Sequence, residues 1–284
     1  MYDNSCEFLS IIDDADLGLE RGSEKHMPSI GLIDSFNWYK CWRGDKLQVS
    51  QPLNKWNNQM LNFYFHATPN SMKVAVLLQE LELPFKVTTI DIFKGEQHSP
   101  EFLKINPNGK VPALVDGETT VFDSHAILQY LAEKQGKFIP KNLGKKAKML
   151  SWLQFVATGL SPFSGQAIHF LHYAPVDLPY AKNRYVKELE RHYNVLNEHL
   201  SKSKYLAGDE YTIADMALWG WAASAGYVFG EKGLSDYPNV VRFMEDMAAR
   251  PAVQRAIAMK AEHSFKSELD EEARKAMFPQ NVAA

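Results

Sequence analysis

Cysteine is almost absent. The 284-residue chain has two, Cys6 and Cys41, and none from Met60 onward. That distribution excludes a Cys-x-x-Cys redox pair and a zinc site built from cysteines in the main body of the chain, and leaves no protein thiol there for nucleophilic work. Long apolar stretches are missing too, since no run approaches the roughly 18 residues of a membrane span. Residues 1–22 are acidic where a secretory signal would be basic and then apolar, so a cytoplasmic protein is expected. Neither sign of charge dominates. A formal net charge of -3 and a pI near 6.3 argue against a nucleic-acid or anionic-membrane partner. Residues 1–59 show no repeat or low-complexity bias.

What the chain does have is 45% hydrophobic and 12% aromatic residues, enough for a substantial core in each of two domains. Residues 61–65 read as a short aromatic strand. Apolar positions Val74, Leu77, Leu78 and Leu81 give 70–83 a helical period, with Thr68 as its cap and Pro69 in its first turn. A second strand is expected over 85–92, then a polar loop holding Gly95, Glu96 and Gln97. Residues 111–115 and 119–122 read as a hairpin around Asp116-Gly117, and 124–134 as a closing helix. The order β-α-β, connecting segment, β-β-α is that of an α/β thioredoxin-type domain.

Three places carry candidate chemistry: the helix start Thr68-Pro69-Asn70, the strand entry at Lys110-Val111-Pro112, and the second helix start Asp123-Ser124. Together they suit a small anionic peptide. A Thr hydroxyl and an Asn amide can donate to a sulfur, and a helix N-terminus adds free N–H groups and a positive field. Lowering a thiol pKa by one unit takes only about 1.4 kcal/mol. Each place also has a plainer reading: Thr68-Pro69 as an ordinary cap, Lys110 and Gln97 as solvated loop residues, Asp123 as an N-cap. Tyr64, inside the first strand, is expected to pack in the core. His169 and His172 have no third ligand at suitable spacing, so packing or pocket lining is expected and no metal. Thr212 and Asp215 fit a capping box, which makes Asp215 structural. Residues 140–150, with Asn142, Gly144 and four lysines, read as an exposed linker.

Residues 61–260 resemble a soluble glutathione transferase, most nearly the bacterial Nu class. The resemblance rests on Thr68-Pro69-Asn70, on Asn106-Pro107-Asn108-Gly109-Lys110-Val111-Pro112-Ala113-Leu114, and on His169-Phe170-Leu171-His172-Tyr173-Ala174-Pro175. A non-catalytic relative, the yeast nitrogen-metabolism prion regulator, shares much of the pattern. The resemblance implies an N-terminal thioredoxin-like glutathione-binding domain at 60–139 and an all-helical C-terminal domain at 151–284, the latter with a substrate pocket. Residues 1–59 are then either an extension packing over the site, as in some relatives, or an upstream addition before a natural start at Met60. Thr68 and Asn70 are implied as catalytic, activating the thiol of glutathione, the co-substrate. A cis-proline after Val111 would expose that residue's backbone to the cysteinyl moiety. Lys110 and Gln97 would reach the glycyl carboxylate, Ser124 and Asp123 the γ-glutamyl carboxylate and ammonium, and Arg184 a second glutathione. Phe163, His169 and Tyr173 would form the substrate pocket.

Three functions follow from the resemblance. The first is glutathione-dependent disulfide-bond reduction with no protein cysteine. The second is conjugation of glutathione to, or thioether cleavage of, an aromatic electrophile, and the third is non-enzymatic regulation. A homodimer is implied as well.

Overall fold

The computed structural model describes residues 60–281, so the expectations for residues 1–59 lie outside the described residues. β1 (Leu61–Phe65) buries Leu61, Phe63 and Phe65 on one face and half-buries Asn62 and Tyr64 on the other. β2 (Phe85–Thr89) pairs with it in parallel. β3 (Ala113–Asp116) pairs antiparallel on its other side and β4 (Thr119–Phe122) lies outside β3, giving the order β2-β1-β3-β4. β2 stops at Thr89, short of 92, because its partner ends at Phe65 opposite Thr89. The Ile90 N–H still reaches the Phe65 carbonyl at 2.9 Å, and the chain then leaves the sheet.

α1 (Pro69–Leu81) starts at the Thr68 cap and ends at Glu82, which adopts a left-handed φ of 53° and returns its N–H to the Leu78 carbonyl. Pro84 then prevents continuation, so the helix is shorter than the periodicity suggests. Val74, Ala75, Val76, Leu77 and Leu78 are all fully buried. A helix apolar on all sides needs cover on all sides. The sheet supplies one side and the helical half of the chain the other.

The connecting segment holds a helix that the sequence reading lacks, α2 (Pro100–Ile105). Ser99 caps it by accepting the Phe102 N–H at 3.2 Å. Phe102 joins Ile90, Val111 and Ala113 in a small second core, and Tyr64 packs on it with rings 5.6 Å apart, as expected for a core tyrosine. β3 begins only at Ala113, since Pro112 has no N–H to offer a neighbouring strand. The Val111–Pro112 peptide is cis. α3 (Ser124–Gln135) closes this α/β unit.

The rest is helical. α4 (Leu143–Phe155) begins where Asn142 accepts the Lys145 N–H at 3.0 Å, so the linker expected over 140–150 is helix from Leu143 on. A π-helical turn at Val156–Leu160 leads into α5 (Ser161–Ile168), and a second at His169–Tyr173 extends it. α6 (Pro179–Leu200), the wholly buried α7 (Ile213–Ala222), α8 (Gly226–Phe229), α9 (Pro238–Ala248), α10 (Pro251–Glu262) and α11 (Glu271–Met277) follow. The capping box of α7 is present. Buried Asp215 accepts the Leu206 and Thr212 N–H groups, each at 2.8 Å, and the Thr212 hydroxyl at 3.1 Å.

One apolar core runs through both halves. A bidentate pair reinforces the junction, Arg250 Nε and Nη2 meeting Glu80 Oε1 and Oε2 at 2.6 and 3.2 Å, with the guanidinium 3.8 Å over the Tyr211 ring. Among the described residues no helix is long and apolar enough to cross a membrane.

Candidate functional site

A cleft of about 1110 Å³ lies where the two halves meet. Both helix starts and the strand entry open onto it, bringing together Thr68, Asn70, Gln97, Lys110, Val111, Asp123 and Ser124, with His169 and Tyr173 on the helical wall. The Thr68 hydroxyl accepts the Ser71 N–H at 3.3 Å and lies 3.1 Å from the Ser71 hydroxyl. Because hydroxyl hydrogens rotate, Ser71 can take the donor role in that pair and free the Thr68 hydrogen for a ligand in the cleft. Thr68 is therefore a helix cap that also lines the cleft.

The strand entry is shaped from behind by Asn106, which is buried. Its amide donates to the Lys110 carbonyl at 2.5 Å and its oxygen accepts the Asn108 N–H at 3.0 Å. Gly109 turns the chain at φ 60°, where a Cβ would stand 3.2 Å from the Gln97 carbonyl. Val111 thus meets the cleft through a fixed backbone. Gln97 is buried, with its amide donating to the Ala276 carbonyl at 2.9 Å. Its own oxygen has no partner among the described residues.

Asp123 caps α3 at a φ of 74°, accepting the N–H groups of His125 at 2.8 Å and Ala126 at 3.2 Å. The neighbouring His125 ring and these N–H groups hold its carboxyl down to about 2. Beneath lies Lys73, fully buried, its ammonium 3.0 Å from the Ser161 hydroxyl and 3.3 Å from His125 Nε2. Burial pushes Lys73 down to about 7 against the pull of Asp123. Burial also lowers His125, with Lys73 adding to the effect and Asp123 opposing it. At that separation the two bases disfavour each other's charge.

Two expected site residues lie elsewhere. Phe163 does not line the cleft: Pro162, Gly165, Gln166 and His169 occupy the cleft face of this helical run, and Phe163, about 100° round from Pro162, packs its ring 5.4 Å from His192 and 6.2 Å from Tyr185. Arg184 is exposed on α6 and pairs with Glu188 at 3.1 Å, away from the cleft. The aromatic wall consists instead of His169, Phe170, Tyr173 and Phe278, with Phe278 4.7 Å from the His169 ring. His172 turns aside to the Tyr227 carbonyl, and among the described residues no three His, Cys, Asp or Glu side chains gather as metal ligands would.

Residues 60–133 match the family described as Glutathione S-transferase, N-terminal domain, and residues 170–251 its C-terminal domain. The disulfide-bond oxidoreductase YfcG of Escherichia coli (strain K12) is 42% identical over 205 residues, covering 70% of this chain and 94% of that protein. The chain belongs to the glutathione S-transferase family. A second Escherichia coli relative, disulfide-bond oxidoreductase YghU, is 42% identical over 212 residues, covering 69% of this chain and 73% of its own. Among solved structures, a Burkholderia graminis glutathione transferase holding two glutathione molecules per subunit superposes with a TM-score of 0.65 at 34% identity. That match covers 70% of this chain and 87% of the other.

In this transferase the sequence reading misses Lys73, His125, Trp221 and Phe278 at the site. His125 carried a signal, since it follows Asp123-Ser124 in the first turn of α3. Lys73 carried one too, as a lone charge in the apolar run of α1. Trp221 and Phe278 are remote in sequence from what they touch, and nothing local marks them.

Proposed function

We propose that this glutathione transferase reduces disulfides, using the sulfur of glutathione and no cysteine from its main body. One observation carries the reading: Thr68 and Asn70 line the cleft at the N-terminus of α1, a place that favours a thiolate, yet no residue from 60 onward is a cysteine. A thiol with an ordinary pKa of about 8.5 needs such a place to ionise near neutrality. One glutathione thiolate attacks a disulfide sulfur, forming a mixed disulfide, and the departing sulfur takes a proton. A second glutathione thiolate attacks the glutathione sulfur of that mixed disulfide, releasing the second substrate thiol and oxidised glutathione. Two glutathiones thereby supply the two electrons. The names of YfcG and YghU and the two glutathiones in the Burkholderia graminis structure support the reading.

In this proposal the Val111 backbone pairs with the cysteinyl moiety and Lys110 faces the glycyl carboxylate. Ser124 at the start of α3 takes the γ-glutamyl carboxylate and Asp123 its ammonium. Gln97 keeps one amide N–H on the Ala276 carbonyl and offers its second to the glycyl carboxylate. Arg184 does not line this cleft, so the proposal gives it no contact there. The motifs further lead us to propose Nu-class membership and a cytoplasmic homodimer.

The test is the rate of 2-hydroxyethyl disulfide reduction with glutathione, coupled to glutathione reductase. A robust rate that survives Cys6→Ser and Cys41→Ser is expected, and no rate despite glutathione binding would overturn the reading. The wall of His169, Phe170, Tyr173 and Phe278 favours one second reading, conjugation to or thioether cleavage of an aromatic electrophile. An aromatic halide assayed beside the disulfide separates the two.

A further inference from the structure

The first turn of α1 is held by a residue from far along the chain. The Trp221 indole Nε1 stands 2.9 Å from Asn70 Oδ1, linking α7 to the cleft wall across 151 positions. An indole N–H can only donate, so the group facing it is the amide oxygen of Asn70. The Asn70 NH₂ is thereby turned the other way. It has no partner among the described residues, and both Asn70 and Trp221 line the cleft.

The approach of α7 that allows this depends on Gly220. A Cβ there would stand 2.5 Å from Lys73 Cγ and 2.6 Å from the Pro69 carbonyl, so the backbone of α7 rests directly on the start of α1. Trp221 is itself nearly buried, at 9% exposure. The indole is held by its surroundings as much as it holds Asn70.

We propose that Trp221 is a positioning residue, taking the amide oxygen of Asn70 so that the amide's N–H donors, and not its lone pairs, face the glutathione sulfur. A free asparagine amide can rotate by half a turn and set its oxygen against the thiolate. With the indole in place, that orientation would bring the amide NH₂ against the indole N–H and leave both without an acceptor. This inference rests on the proposed role of Asn70 at the sulfur.

Trp221→Phe keeps most of the apolar ring and removes the donor. Loss of one net hydrogen bond should raise the pKa of the bound glutathione thiol, followed by thiolate absorbance, by about half a unit to one unit. Disulfide reduction at pH 7 with saturating glutathione should fall about three- to ten-fold, with the deficit closing toward alkaline pH and the KM for glutathione moving less than about two-fold. In an Asn70→Ala background the same change should add nothing.

An unchanged thiol pKa in Trp221→Phe beside a raised one in Asn70→Ala overturns the inference alone. A Trp221→Phe deficit independent of pH, or one undiminished in the Asn70→Ala background, overturns it as well. An unchanged thiol pKa in Asn70→Ala overturns the Asn70 assignment and the inference with it. Should Trp221→Phe fail to fold, the indole N–H resonance of Trp221 decides. It should shift and exchange faster in Asn70→Ala than in the unaltered protein, and an unmoved resonance overturns the hydrogen bond.

Discussion

Asn70 and Lys73 lie one helical turn apart on α1 and face different problems. Asn70 reaches the cleft with an uncommitted NH₂, and in the proposed reaction its contribution is realised when the glutathione sulfur carries charge. Asn70→Ala should lower disulfide-reduction turnover about ten-fold, the equivalent of one unit of thiol pKa, while glutathione binding changes little. Steady-state kinetics beside calorimetric binding checks it, and unchanged turnover would remove Asn70 from the chemistry.

Lys73 is a matter of stability. Its folded pKa of about 7 lies below the ordinary 10.5, so between those values the folded chain holds the proton less than the unfolded chain does. Stability due to this group therefore rises with pH across that window, and the penalty is full below pH 7. Lys73→Met has no such proton and should lose that rise. Urea midpoints for the two proteins at about pH 7 and about pH 9.5 should converge as pH increases. Midpoints that run parallel would contradict the assignment.

At the scale of elements, the helix starts do most of the specifying, and they were the most legible part of the sequence. Thr68, Asp123 and Thr212 each cap the helix expected from their residue type. Asp215 shows how much one start can bear. Asp215→Ala strands the Leu206 and Thr212 N–H groups in the interior and should cost about 2–4 kcal/mol in urea unfolding. Burial raises this carboxyl to about 6 from the ordinary 3.8, so its favourable contribution is complete below the lower value and fades as pH climbs through the upper. Asp215→Asn should accordingly compare better with the parent above pH 6 than at pH 4.

Ends were less legible than starts. β2 stops where β1 runs out of residues, and α1 stops on the left-handed Glu82. Phe163 and Pro162 are neighbours in sequence that only the phase of the π-containing run separates into interior and cleft. A one-residue difference in helical phase is invisible without the neighbouring elements.

At the scale of the molecule, the thioredoxin-like half was readable because its pairings are local in order. The junction was not, because its contacts join residues more than 150 positions apart. Trp221 to Asn70, Gln97 to Ala276 and Arg250 to Glu80 are all of this kind. The Arg250 pair is bidentate, largely buried and stacked on Tyr211, a geometry that a lysine cannot copy. Arg250→Ala should destabilise the protein by about 2–3 kcal/mol, and Arg250→Lys should recover less than half of that. Full recovery by lysine would mean that simple charge suffices.

The segment beyond α10 crosses back to the α/β half, where the Lys266 N–H meets Asp91 at 2.9 Å and the Ala276 carbonyl receives both Gln97 and His98. During synthesis these residues emerge after every group they touch. Until Lys266, Ala276 and Phe278 have been made, the side of the cleft that they close stays open to solvent. The aromatic face that Phe278 completes is thus made in two instalments, and a chain cut before Phe278 would keep both helix starts of the cleft with an aromatic wall one ring short.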